Sequence, residues 1–116
     1  IHHPVHPHGE PERRALWDGA ALRSLLAEVG AELVLHGHKH RRRVNFLDGP
    51  DRPIPAIGVP SSSEVGSRPD RLAQYHVYGV RAGGAGTGSA GFELTAEVRG
   101  YDRAQRRFVG LDDRLF

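Results

Sequence analysis

Eight histidines stand out in a chain of 116 residues, and their placement is uneven. His2, His3, His6 and His8 fall in the first eight positions, His36, His38 and His40 within five, and His76 stands alone. Imidazole is the commonest ligand for zinc-like metals, and a site needs several nitrogens converging within about 2.0–2.1 Å of the ion. His38 and His40 lie two positions apart. They can face one side of an extended segment or converge through a turn, and Gly37 permits a bend just before them. The same spacing also suits two surface histidines. The chain has no cysteine, so it can form neither disulfides nor thiolate sites, and nitrogen and oxygen are left to hold any metal.

The elements that must position these side chains can be read from the pattern around them. Pro4, Pro7, Gly9 and Pro11 make residues 4 to 15 an irregular loop carrying His6 and His8, because proline neither donates to a ladder nor continues a helix. A helix follows. Asp18 is a suitable N-cap, and Leu22, Leu25, Leu26 and Val29 form one apolar stripe, with Arg23, Ser24 and Glu28 facing away. Gly30 is placed to end the helix in the left-handed conformation. The apolar run 31–35 predicts a buried strand ending in Gly37-His38-Lys39-His40, and strand ends are where α/β sheets commonly present functional groups. Beyond it the chain turns to β-structure. Strands are predicted over 44–47, 54–59, 74–80 and 92–101, with a final short one at Phe108-Val109. The glycine-rich stretch 83–91 reads as a flexible connector, with no phosphate-loop spacing.

Other residues near the histidines admit two readings each. His3 could orient a substrate or simply bond to backbone, and His36 suits packing behind the site. His6 and His8 could overhang it or form a surface tract. Arg41-Arg42-Arg43 and Arg13-Arg14 could attract a phosphate or form solvated charge runs. Ser61-Ser62-Ser63 could line a cleft, and His76 reads as an ordinary strand histidine.

The order of these features resembles the C-terminal half of the calcineurin-like metallophosphoesterases. An apolar residue with His2-His3-Pro4, a loop, a capped helix and an apolar strand ending in Gly37-His38-Lys39-His40 match that family's His-His-Pro and Gly-His-x-His motifs. Gly58-Val59-Pro60-Ser61 and Arg99-Gly100-Tyr101-Asp102 agree in general character. The resemblance makes His2 and His38 ligands of one metal and His40 a ligand of a second, with His3 and Arg41 as substrate-facing candidates. It implies two divalent or mixed-valence ions (Mn, Fe or Zn) acting on a small phosphomono- or phosphodiester. The family's Asp-x-His, Gly-Asp-x-x-Asp and Gly-Asn-His motifs are absent. The expectation is therefore the C-terminal portion of a four-layer α/β/β/α sandwich, spanning 1–116. Residues 1–43 form the metal-ligand αβ unit, and 44–116 a β-rich remainder of hairpins. By itself this piece is α+β, with one main helix and little or no activity. The absence of methionine, with Ile1 first, agrees with a fragment.

Composition bounds the alternatives. A net charge of +2 is spread along the chain, and with four Phe, three Tyr and one Trp there is no single-strand stacking motif. Both argue against a nucleic-acid-binding module. No apolar run reaches the roughly 20 residues of a membrane span, and no signal peptide is evident, so a cytoplasmic location is expected. Two rivals are kept beside the hydrolase: a non-catalytic module that binds metal through its histidines, and a basic nucleic-acid-binding module built on Arg41-Arg42-Arg43 and the hairpins.

Overall fold

An apolar helical stripe and a set of alternating strands must bury one another, and a computed structural model of the chain shows how they do so. It describes residues 1–6, 15–82, 92–111 and 115. His8, Arg13, Arg14, most of the proline loop and the connector at 83–91 lie outside the described residues.

Helix α1 runs Gly19–Val29. Asp18 holds the cap position but its carboxylate makes no capping bond. Its backbone sits at φ −93°, ψ 20°, a turn conformation that does not aim the side chain at the first-turn N–H groups as an extended cap residue does. Gly30 ends the helix at φ 78°, ψ 170°, so φ is positive but ψ is extended, not left-handed helical. Its N–H donates to the Leu26 carbonyl at 2.9 Å. Only part of the expected stripe is used. Leu22 and Leu26 pack on the core, while Leu25 and Val29 remain 52% and 64% exposed. Arg23, expected to face away, folds back and donates from Nη1 to the Val5 carbonyl at 2.7 Å.

The helix lies on a sheet made of β1 (Val34–His36), β2 (Arg43–Leu47) and β3 (Ile54–Gly58), in the order β1-β3-β2. β1 starts later than its apolar run and ends on His36. It pairs parallel with β3, Val34 opposite Ala56 and His36 opposite Gly58. β2 pairs antiparallel, Leu47 opposite Ile54. As the central strand, β3 is buried at four of its five residues. Successive side chains of a strand point to opposite faces. On one side, Ile54 and Ala56 join Val5 and Leu47 in a core capped by Leu22 and Leu26. On the other, Ile57 meets Val98 and Leu115.

Val98 belongs to a second, antiparallel sheet of β4 (Gln74–Ala82), β5 (Phe92–Asp102) and β6 (Arg107–Leu111). Tyr78 lies opposite Ala96 and Val98 opposite Leu111; Val98 is buried against Ile57, with Tyr78, Ala96 and Leu111 packed partly buried around them. The described residues thus make one helix and two three-stranded sheets, a mixed α+β arrangement. It is open. The radius of gyration is 15.9 Å, against about 13 Å expected for a close-packed chain of this length. Phe46, Val44 and Val80 keep much of their apolar surface exposed.

His76 sits on the inward face of β4 and shares a 2.7 Å hydrogen bond with the Tyr78 hydroxyl through Nδ1, while its Nε2 is buried without a partner. Burial, and secondarily the Arg42 charge, lower its pKa. Burial likewise pushes the Tyr78 phenol up to about 12.

Two outcomes follow for stability. Ile57→Ala should lower unfolding free energy by about 2–5 kcal/mol in urea titrations, whereas half-exposed Phe46→Ala should lower it by no more than about 1 kcal/mol. A histidine with a lowered folded pKa binds protons more readily once unfolded, so its contribution to stability is lost as pH falls. Stability should therefore drop as pH descends through 6.5, the unfolded value. The His76→Gln variant should show a shallower drop over the same window.

Candidate metal centre

The site depends on where the first residues lie. The Ile1 nitrogen donates to the Leu35 carbonyl at 2.9 Å, and the Gly37 N–H donates to the His2 carbonyl at 3.0 Å. Residues 1 and 2 therefore run alongside β1 in the same direction, on the side away from β3. Val5, 1% exposed, anchors the segment in the core beneath α1. Between these two attachments the chain bends at His3, just before the buried Pro4. In a straight strand His2 and His3 would point to opposite faces. The bend lets both serve one place.

His38 comes from the loop after β1. Both His38 and His40 have positive φ, 66° and 51°, and the Lys39 N–H closes a tight turn onto the Gly37 carbonyl at 2.8 Å. A left-handed backbone disfavours a side chain by roughly 1–2 kcal/mol per residue, so this loop holds a conformation its residues would not choose alone. The result is a cluster in which His38 Nδ1 approaches His2 Nε2 to 3.3 Å. One ligand nitrogen from each of His2, His3 and His38 lies within 4.8 Å of the others. The rings of His2 and His38 meet edge to face, as do those of His2 and His3, so they do not stack away from a common point. His2 is exposed and the other two are half-buried. No carboxylate belongs to this group among the described residues.

The donor set fits a metal. Bonds of 2.0–2.1 Å around a tetrahedral ion put neighbouring nitrogens about 3.3 Å apart, the separation found for His2 and His38. Imidazoles suit zinc, copper, iron and nickel.

The remaining candidates sit as follows. His40 is exposed and outside the three-histidine group. Arg41 forms a 2.9 Å ion pair with Asp70, on the short 3-10 turn Pro69–Arg71, with both side chains about half exposed. Ser61 Oγ bonds Ser63 Oγ at 3.1 Å. His36 is buried, 5% exposed, with its ring against Gly58, where a Cβ would fall 2.6 Å from Cε1. Burial lowers its pKa, partly offset by a hydrogen bond to the Gly37 carbonyl. It packs beneath the loop.

No family model matches the chain. No solved structure matches it either. Function must be argued from the site and its motifs.

The sequence makes His3 a neighbour of His2 that could face a substrate or bond to backbone, whereas the structure groups its ring with those of His2 and His38. The available signal was Pro4, since the residue before a proline is conformationally restricted, but that alone does not say where the ring points.

The loop conformation can be checked through His40. His40→Gly should leave thermal stability unchanged or raise it, because glycine adopts positive φ freely. His40→Val should lower it by about 1 kcal/mol or more, measured by chemical denaturation.

Proposed function

We propose that this chain supplies histidine ligands to a two-metal phosphoester hydrolase, in which His2 and His38 hold one ion and His40 a second. The observation that carries this reading is the 3.3 Å approach of His2 Nε2 and His38 Nδ1 from opposite ends of a 36-residue separation. Those two belong to the His-His-Pro and Gly-His-x-His motifs that mark the resemblance to calcineurin-like metallophosphoesterases. Two cations of Mn, Fe or Zn, with His2 and His38 holding one and His40 the other, would supply charge to polarise the phosphoryl oxygens and to activate a water near neutral pH.

The chain's own residues have simpler tasks. The His2 carbonyl is tied to the Gly37 N–H, one residue before His38, and an imidazole ligand adds no negative charge to offset the one that attracts phosphate. His3 lies beside them. Arg41 is within reach of an anion only if it leaves Asp70, and an exposed pair of this kind holds by about 1 kcal/mol or less. In this reading residues 1–116 are the C-terminal portion of an α/β/β/α sandwich, and the bridging carboxylates come from outside them. The exposed Val44, Phe46 and Val80 support it, since further elements of such a sandwich would cover them.

A second reading is a module that binds metal without catalysis. That no carboxylate among the described residues joins the three-histidine group favours it.

The two are separated by hydrolysis of bis(p-nitrophenyl) phosphate with Mn2+ or Zn2+. In the intact protein His38→Ala or His40→Ala should reduce metal-dependent turnover by ~100-fold or more, with far-UV circular dichroism unchanged. Turnover that survives both substitutions refutes the hydrolase reading. The chain of residues 1–116 alone should show little or none.

A further inference from the structure

The phosphoesterase motifs account for His2 and His38 but assign His3 no metal. The geometry treats the three alike. His3 contributes a ring nitrogen within 4.8 Å of the other two. Its ring centroid is 4.2 Å from that of His38 and 4.9 Å from that of His2. Its Nδ1 is buried with no hydrogen-bond partner. A buried imidazole nitrogen without a partner is unfavourable, and the ring that carries it lies against two further imidazoles whose nitrogens approach each other to 3.3 Å.

We infer that His2, His3 and His38 form a single-ion site of three imidazoles, able to bind Zn2+ within this chain. It rests on the preceding reading for His2 and His38, and adds His3 as an equal ligand. Three features give the site its character. Three protein nitrogens leave a fourth tetrahedral position open, as zinc sites with chemistry do and closed structural sites do not. His2 is exposed, so solvent reaches the cluster from its side. All three donors are neutral when metal-bound, so the ion keeps its full double charge and the open position favours an anion such as hydroxide or phosphate.

The site also has a mechanical basis. The backbone bond from Gly37 to the His2 carbonyl ties the two ligand-bearing segments together. The left-handed His38 turns its ring back toward them, and the bend at His3 brings in the third ring. Metal binding should therefore tie residues 1–3 to the loop at 37–40.

The experiment uses the tag-free chain, titrated with Zn2+ by calorimetry and with Co2+ by visible absorption. One ion per chain is expected, with the intense absorption bands of four-coordinate cobalt. His2→Ala, His3→Ala and His38→Ala should each weaken Zn2+ binding by at least ~100-fold, whereas His76→Gln should leave it unchanged. His3→Gln repeats the test with a polar side chain retained, and circular dichroism confirms that each variant folds. Unaltered affinity in both His3 variants, with loss in His2→Ala and His38→Ala, overturns the three-imidazole site and leaves the phosphoesterase reading standing. Absence of Zn2+ binding by the unaltered chain also overturns it.

Discussion

Two backbone hydrogen bonds hold the site together. The Ile1 nitrogen reaches the Leu35 carbonyl and the Gly37 N–H reaches the His2 carbonyl, and every other feature of the histidine cluster depends on them. They carry a segment from one end of the chain to the strand that ends beside His38, closing a loop of more than 30 residues. Each such bond contributes about 1 kcal/mol net, little against the entropy of closing that loop. The remainder comes from Val5, which fixes the segment in the helix-side core. Apolar burial thus places the backbone, and the backbone places the imidazoles.

The two faces of the first sheet are covered differently. On the helix side Ile54, Ala56, Leu47 and Val5 are enclosed and several leucine and valine side chains pack around them. On the far side Ile57 meets a small cluster from the second sheet together with Leu33 and Leu115, while Val44 and Phe46 on that same face stay partly open. The histidine loop lies at the end of β1, between these two environments. Its support is firm beneath, where His36 is buried, and slight above, where His40 is exposed.

Much of this was legible in the residues. The order of helix and strands follows from periodicity and turn chemistry, and the strand boundaries differ by one to three residues. The departures have local causes. Leu25 and Val29 belong to the apolar stripe by spacing, but the three-stranded sheet beneath α1 is too small to cover them. Asp18 is the right residue for a cap in a backbone conformation that does not use it. Arg23 found a carbonyl that no helical periodicity announces. At the site, the resemblance named His2, His38 and His40, of which the structure brings the first two together, and the strand ends that carry them were legible. The place of His3 was not. It depends on a bend between two anchors, one in the core and one at the sheet edge, and only the folded chain brings those anchors together.

Gly58 and His36 show how closely the site is tied to the sheet. They lie opposite each other on β3 and β1, and the imidazole fills the space that a side chain at position 58 would need. The two positions therefore form one volume shared between neighbouring strands, not two independent choices. Among homologous sequences a larger residue at 58 can be accommodated only with a smaller one at 36, so substitutions at the pair should appear together. The first two residues of the histidine loop, Gly37 and His38, directly follow that shared volume. A sequence drifting at position 58 would be changing the floor of the histidine loop without touching any histidine of the cluster.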